Sequence, residues 1–172
     1  SQSSVGLNFS HLLSYISFSF DNQLTGYAIE VTDISFTIGV KGDYGSTSVP
    51  SWSNLTQGAI TLCPAGSPLA VEKQTVVTSG PSLVIPRNTG VNVTFTVTIR
   101  ENDEASSMTV VKRFTSQLAT TDGKWTKGQS YNYKATITDA LMEMEDLTQI
   151  TLVVTIKGWE KEDASVSWGE ET

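Results

Sequence analysis

Hydrophobic and polar positions alternate along much of this chain. Val91, Val93, Phe95, Val97 and Ile99 are interleaved with Asn92, Thr94, Thr96 and Thr98. The same period of two returns at Tyr131, Tyr133, Ala135 and Ile137, and again at Ile150, Leu152, Val154 and Ile156. Successive side chains on a strand point to opposite faces, so each run predicts a ribbon with one apolar and one polar face. Such ribbons assemble into antiparallel sheets with one buried side. Changes of parity mark interruptions. Val5, Leu7 and Phe9 occupy odd positions, whereas Ile16, Phe18 and Phe20 occupy even ones. This predicts a helical turn or bulge at His11-Leu12-Leu13. A second change near Thr32-Asp33 separates Ile29 and Val31 from Ile34, Phe36 and Ile38.

Between these runs the chain is punctuated. Residues 39–54 contain Gly42, Asp43, Gly45 and Pro50 and read as a loop, with Trp52 expected to pack down as a lid on the core. Short apolar runs follow at 59–62, 69–71, 75–78 and 82–85, the last ending at Pro86, which favours a strand end. Strands over 92–101 and 108–115 flank an exposed hairpin tip, Glu101-Asn102-Asp103-Glu104. Asp122-Gly123 is a turn. Leu141, Met144 and Leu147, three apart, predict one or two helical turns over 139–147. The strand over 150–156 ends at Gly158-Trp159. Residues 160–172 form an acidic tail in which Val166 and Trp168 keep strand alternation. About eight to ten strands at this spacing, without repeats or a linker, predict one all-β sandwich domain over 1–172.

Composition narrows the function classes. With 38% hydrophobic and 17% charged residues in 172, the chain suits one sizeable core rather than a disordered segment. Eleven basic and 18 acidic residues give a net charge of −7, which repels nucleic acid and anionic lipid. The arginines, Arg87, Arg100 and Arg113, are scattered. Cys63 is the sole cysteine, so an internal disulfide is excluded. It is expected to be a small buried or half-buried apolar residue, with a catalytic or crosslinking thiol as the alternative. No apolar run reaches the ~20 residues that span a bilayer as a helix. The start Ser1-Gln2-Ser3-Ser4 has neither an initiator Met nor a charged n-region, as expected of a processed or truncated product.

The polar residues form no evident active centre. A Ser-His-Asp triad would need the sole histidine, His11, as base. It lies between Phe9 and Leu12 and is expected to be a packed, hydrogen-bonded imidazole. A Cys63–His11 pair lacks supporting local context, and one His with one Cys is too few for a usual zinc site. Glu143, Glu145 and Asp146, and Glu101, Asp103 and Glu104, read as solvated clusters, with calcium as the alternative. Neither has the spacing of a calcium-binding loop. Trp52, Trp125, Trp159 and Trp168 are dispersed, and Tyr131 and Tyr133 share one strand face; packing is expected of each, stacking on sugars being the alternative. No catalysis, cofactor or metal is expected.

Several segments resemble one family. Leu7-Asn8-Phe9-Ser10-His11-Leu12-Leu13-Ser14-Tyr15-Ile16-Ser17-Phe18-Ser19-Phe20 resembles the L-x-F-x-H-x-L-(S/A)-x-I-x-F-x-(I/F) signature of fimbrillin-like proteins, which are bacterial surface adhesion proteins. Leu83-Val84-Ile85-Pro86 resembles the family's L-x-I-P-Q segment, with Arg87 in place of Gln. Trp125-Thr126-Lys127-Gly128-Gln129-Ser130-Tyr131-Asn132-Tyr133 resembles its W-x-x-G-x-x-Y-x-Y segment, and Trp159 falls where the family places a Trp after the last strong strand.

The resemblance covers about residues 7–159 and implies an antiparallel Greek-key, transthyretin-like sandwich in which Phe9, Ile16, Phe18, Tyr131 and Tyr133 are core or sheet residues. Members typically carry two sandwich domains and a lipid-bearing cysteine. The pattern here is that of the C-terminal domain, which leaves the lipoprotein anchor outside the chain. The resemblance further implies export to the outer membrane and cell surface, and a type V pilus or fimbria whose subunits join when a strand of one completes the sheet of the next. Val166 and Trp168 then belong either to the domain's own last strand or to a donor strand. Other fimbrial subunits are the implied partners, with a host or bacterial surface protein or glycan besides. The runner-up function is a carbohydrate-binding sandwich module of a polysaccharide-use system.

Overall fold

A computed structural model of the protein describes residues 11–45, 51–100 and 110–158. The apolar face of each alternating run turns inward and creates two sheets packed face to face. In one sheet, β1 (Ser14–Asn22) lies beside β9 (Gln129–Ile137), and β9 beside β11 (Val153–Gly158). The other side of β1 is shared by two short strands, β5 (Val76–Thr78) and β6 (Ser82–Val84). The second sheet runs β10 (Thr148–Gln149), β8 (Val110–Leu118), β7 (Val91–Arg100), β2 (Ala28–Gly45), with β4 (Leu69–Val71) and β3 (Ser51–Leu62) sharing the far side of β2. Among the described residues the helical content is one turn, α1 (Asp139–Met142), whose Leu141 N–H is accepted by the Thr138 side chain.

The core follows the alternation. Val93, Phe95 and Val97 of β7 face Ile16, Phe18 and Phe20 of β1, and all are essentially inaccessible to solvent. Phe20 meets Phe95 edge-on at 5.2 Å between ring centroids, and Phe95 meets Phe114 at 5.6 Å. Phe18 bridges Phe36 of the opposite sheet and Tyr133 of its own. Burying each such ring contributes about 2–3 kcal/mol, so this contact chain is what clamps the sheets together. The parity change at Thr32-Asp33 is a β-bulge: pairing with β7 skips from Thr32 to Ser35, and Asp33 takes the left-handed φ of 53°. The Asp33 N–H donates to the Cys63 carbonyl, which holds the extra residue outside the ladder. Val31 and Ile34 therefore both reach the core.

Four expectations change. Most pairings are antiparallel, but β1 runs parallel to β9 and β10 parallel to β8. No hairpin links either pair; β2 to β8 intervene between β1 and β9, so no tight turn imposes opposite directions. The described residues of 39–54, namely 39–45 and 51–54, are strand rather than loop. β2 continues to Gly45 and β3 begins at Ser51, so the hairpin projects as a two-stranded arm beyond β7, whose pairing with β2 ends at Phe36. Within it Trp52 is half-buried against Tyr44, at 5.2 Å between ring centroids, and is not a core lid. The expected strand over 150–156 is divided. Ile150 donates its N–H to Thr115 in one sheet, and β11 then pairs with β9 in the other. Its alternation therefore serves two sheets, and Ile156 is exposed. Finally, His11 is exposed ahead of β1 rather than packed inside a strand. The strand expected near Val5, Leu7 and Phe9, the tip at Glu101, Asp103 and Glu104, and Trp159, Val166 and Trp168 lie outside the described residues.

Candidate functional site

The residues able to do chemistry are kept apart. The Trp52 indole N–H donates to the Leu12 carbonyl at 3.4 Å, which places the His11 segment at the arm end of β3. Cys63 follows the opposite end of β3, roughly 30 Å away at the rise of an extended strand. The two cannot act as a nucleophile–base pair in this fold. Cys63 is half-buried against the core, as expected, and burial pushes its thiol pKa up, away from the reactive thiolate.

The other candidates are also accounted for. Of Glu143, Glu145 and Asp146, the last is tied to β8: its carboxylate accepts the backbone N–H of Arg113 at 2.7 Å and the Arg113 guanidinium Nε–H at 3.2 Å. The Arg113 N–H holds the carboxyl below its usual range. Among the described residues no three His, Cys, Asp or Glu side chains gather as a metal site. Tyr131 and Tyr133 are buried, which removes them as a sugar platform. Tyr133 accepts the Trp125 indole N–H at 2.8 Å, and the Tyr131 hydroxyl accepts the Thr126 N–H at 2.7 Å. The W-x-x-G-x-x-Y-x-Y segment is thus a structural clasp. Gly128, at a φ of 73°, supplies the turn between the tryptophan and the tyrosines.

What remains is backbone chemistry at the sheet edges. The edge of β1 is closed: β6 pairs with Ser14 to Ile16, β5 with Ser19 to Asp21, and Ser79 fills the gap. The Ser79 hydroxyl accepts the Phe18 N–H, and the Ser79 N–H donates to the Phe18 carbonyl. The edge of β8 is partly closed by β10 and by Asp146 at Arg113. Among the described residues the outermost strands are the short β4, β5, β6 and β10 and two longer ones. One is β11, six residues long, with Val153 and Ile156 exposed. The other is β3, twelve residues long.

β3 lacks the usual protection of an edge. Its sequence, SWSNLTQGAITL, contains no charged residue and no proline, the two commonest deterrents to strand addition. Its one irregularity is Asn54, at a φ of 50°, whose amide donates to Asp43 across the arm at 2.9 Å. Among the described residues no strand pairs with the outward N–H and C=O groups of β3. Sequence reading missed this edge because glycine and serine mask strand propensity. The signal that could have found it is the alternation of Leu55, Gln57, Ala59 and Thr61 with Thr56, Gly58, Ile60 and Leu62.

The fold has relatives among solved structures. A candidate cell adhesion protein from Parabacteroides distasonis ATCC 8503 superposes with a TM-score of 0.52 at 14% identity, over 87% of this chain and 52% of that one. A fimbrial protein from Bacteroides vulgatus ATCC 8482 gives a TM-score of 0.52 at 17% identity, over 88% of this chain and 56% of that one. At such identities the likeness is one of fold, and the chain spans about half the length of each. No curated protein matches the sequence. The family model described as fimbrillin-like matches residues 1–159. With that match over nearly its whole length, the chain belongs to the fimbrillin-like family.

Proposed function

We infer that this chain is a structural and adhesive subunit of a bacterial surface fimbria, exported to the outer membrane and assembled by strand addition without catalysis. The observation that carries this reading is the family match over residues 1–159 in a sandwich whose β3 edge is long, uncharged and open. Strand addition needs an edge with unpaired backbone groups and no charge to bury, and β3 meets both requirements. The donor is residues 160–172 of a neighbouring subunit, with Val166 and Trp168 as alternate side chains entering the acceptor. One core is shared by both sheets, which supports reading residues 1–172 as a single fimbrillin-type domain.

The test compares the full chain with a version ending at Trp159 by size-exclusion chromatography with light scattering and by unheated SDS gels. Oligomer ladders from the full chain only would support tail donation. Monomers from both, with folded spectra, would contradict it. Gln57→Lys with Ala59→Lys, at exposed positions of β3, locates the acceptor: the reading expects these charges to abolish ladders while leaving the monomer folded.

A further inference from the structure

The outer face of the second sheet carries a depression of about 300 Å³. It is walled by Asp33, Ser35, Thr94, Thr96, Arg113 and Leu147. Thr96 lies opposite Thr32 on one side and opposite Arg113 on the other, so the Asp33 and Arg113 rims stand two strand spacings apart, about 10 Å. That is the width of one substituted pyranose, and the volume falls at the lower end of small-ligand sites.

The groups are arranged for recognition rather than for mutual satisfaction. Asp33 sits on the bulge with an exposed carboxylate that no described group engages. Arg113 is oriented by Asp146, which takes its Nε–H and leaves the two terminal nitrogens without a partner among the described residues. Such a guanidinium end matches a carboxylate with two parallel hydrogen bonds. Between the rims, the Thr94 and Thr96 hydroxyls have no partner among the described residues. The Ser35 hydroxyl accepts from Thr61 at 3.4 Å and keeps its own hydrogen to donate. Leu147, half-exposed and held at a φ of 61°, supplies an apolar wall.

We propose that this depression binds a carboxylate-bearing sugar residue of a glycan, with the ligand carboxylate on Arg113, vicinal hydroxyls on Asp33, further hydroxyls on Ser35, Thr94 and Thr96, and an apolar substituent or ring face on Leu147. A free amino acid would satisfy the two charges but leave the row of three hydroxyls unused. A neutral sugar would leave the guanidinium end unpaired. The site is carried by the monomer and goes beyond the assembly reading, so the failure of either leaves the other standing.

The test is titration calorimetry on the full chain with 3′-sialyllactose, a glucuronate oligosaccharide, lactose and free glutamate. At least one acidic sugar is expected to bind about tenfold or more tightly than lactose and glutamate, the value of one charge-assisted bidentate contact. Arg113→Gln and Asp33→Asn should each weaken that binding by about tenfold. Asn accepts the left-handed conformation, so the second variant keeps the bulge. Thr96→Val should weaken binding severalfold, whereas Thr98→Val, outside the depression, should not. No binding by either acidic sugar, equal binding of lactose, preference for glutamate, or equal loss in Thr98→Val would overturn the proposal. Because Thr96→Val keeps a β-branched side chain on an exposed strand face, it reports on recognition even if the charge variants perturb the fold.

Discussion

The β2–β3 hairpin is one continuous ribbon in two environments. Near the sandwich, Ile29, Val31, Ile34, Phe36 and Ile38 of β2 face the core, and as far as Phe36 the strand lies between β7 and the strands β4 and β3. Beyond Ile38 the ribbon has only two strands, most of its residues are exposed, and register shifts fall between Gly39 and Lys41 and between Lys41 and Asp43. The first half is held by non-local apolar burial. The second is held by its own cross-strand pairs: Tyr44 on Trp52, Asn54 to Asp43, and Leu55 lying over Gly39 and Gly42. A two-stranded ribbon alone is marginal in water, so the arm depends on these contacts and on the Trp52–Leu12 hydrogen bond. Strands gain stability from what covers them, and a strand left uncovered is free to be covered by something else.

The strongest way to break the contrast is to cut into the core half. Phe95→Ala removes a ring that touches both Phe20 and Phe114 and should cost about 3–5 kcal/mol, read as a lower urea midpoint. A loss comparable to that of an arm substitution would mean the aromatic chain is not the clamp. The next largest effect belongs to the clasp. Trp125→Phe leaves the buried Tyr133 hydroxyl without its donor and should cost about 1–3 kcal/mol in the same assay.

Tyr133 also gives the core a pH signature that the arm lacks. Burial pushes its pKa up to about 12, partly offset by the Trp125 hydrogen bond. The unfolded chain therefore loses this proton more readily than the folded one. The contribution is fully present below the unfolded pKa, about 10, and is lost as pH rises from there through about 12. Unfolding midpoints should fall across that window, and Tyr133→Phe should flatten the fall.

Arm substitutions should register least in global stability. A Cβ at Gly42 would stand 2.6 Å from a Leu55 methyl and 3.0 Å from the Ser53 carbonyl. Gly42→Ala should therefore shift Trp52 fluorescence and speed arm amide exchange while leaving the urea midpoint nearly unchanged. Leu55→Ala, at a 39% exposed position, should cost less than about 1 kcal/mol.

The same contrast explains what could be read from the sequence. Where a strand packs one face on a core, alternation encodes it, and β1, β7 and β9 were legible for that reason, as was the bulge at Thr32-Asp33. The arm was not legible because it buries no face: Gly39, Gly42, Gly45 and Gly58 carry no side chain to alternate, and turn-type residues read as a loop. The run from Ile150 to Ile156 misled in the opposite direction, since its even positions contact two different sheets in turn. The clasp formed by Trp125, Tyr131 and Tyr133 was legible as packing but not as a hydrogen-bonded unit. The Asp33–Arg113 depression was hidden, because its walls come from three strands and the loop before β10, and only the register of β2, β7 and β8 brings them together.

The most direct measurement is amide hydrogen exchange along β3, in the monomer and after assembly of the full chain. An open acceptor edge predicts that alternate amides of Ser51–Leu62, those pointing away from β2, exchange rapidly in the monomer and become protected in the assembly, while β7 and β9 stay unchanged. Equal exchange of β3 in both states would contradict the account and leave its free edge without a role in joining subunits.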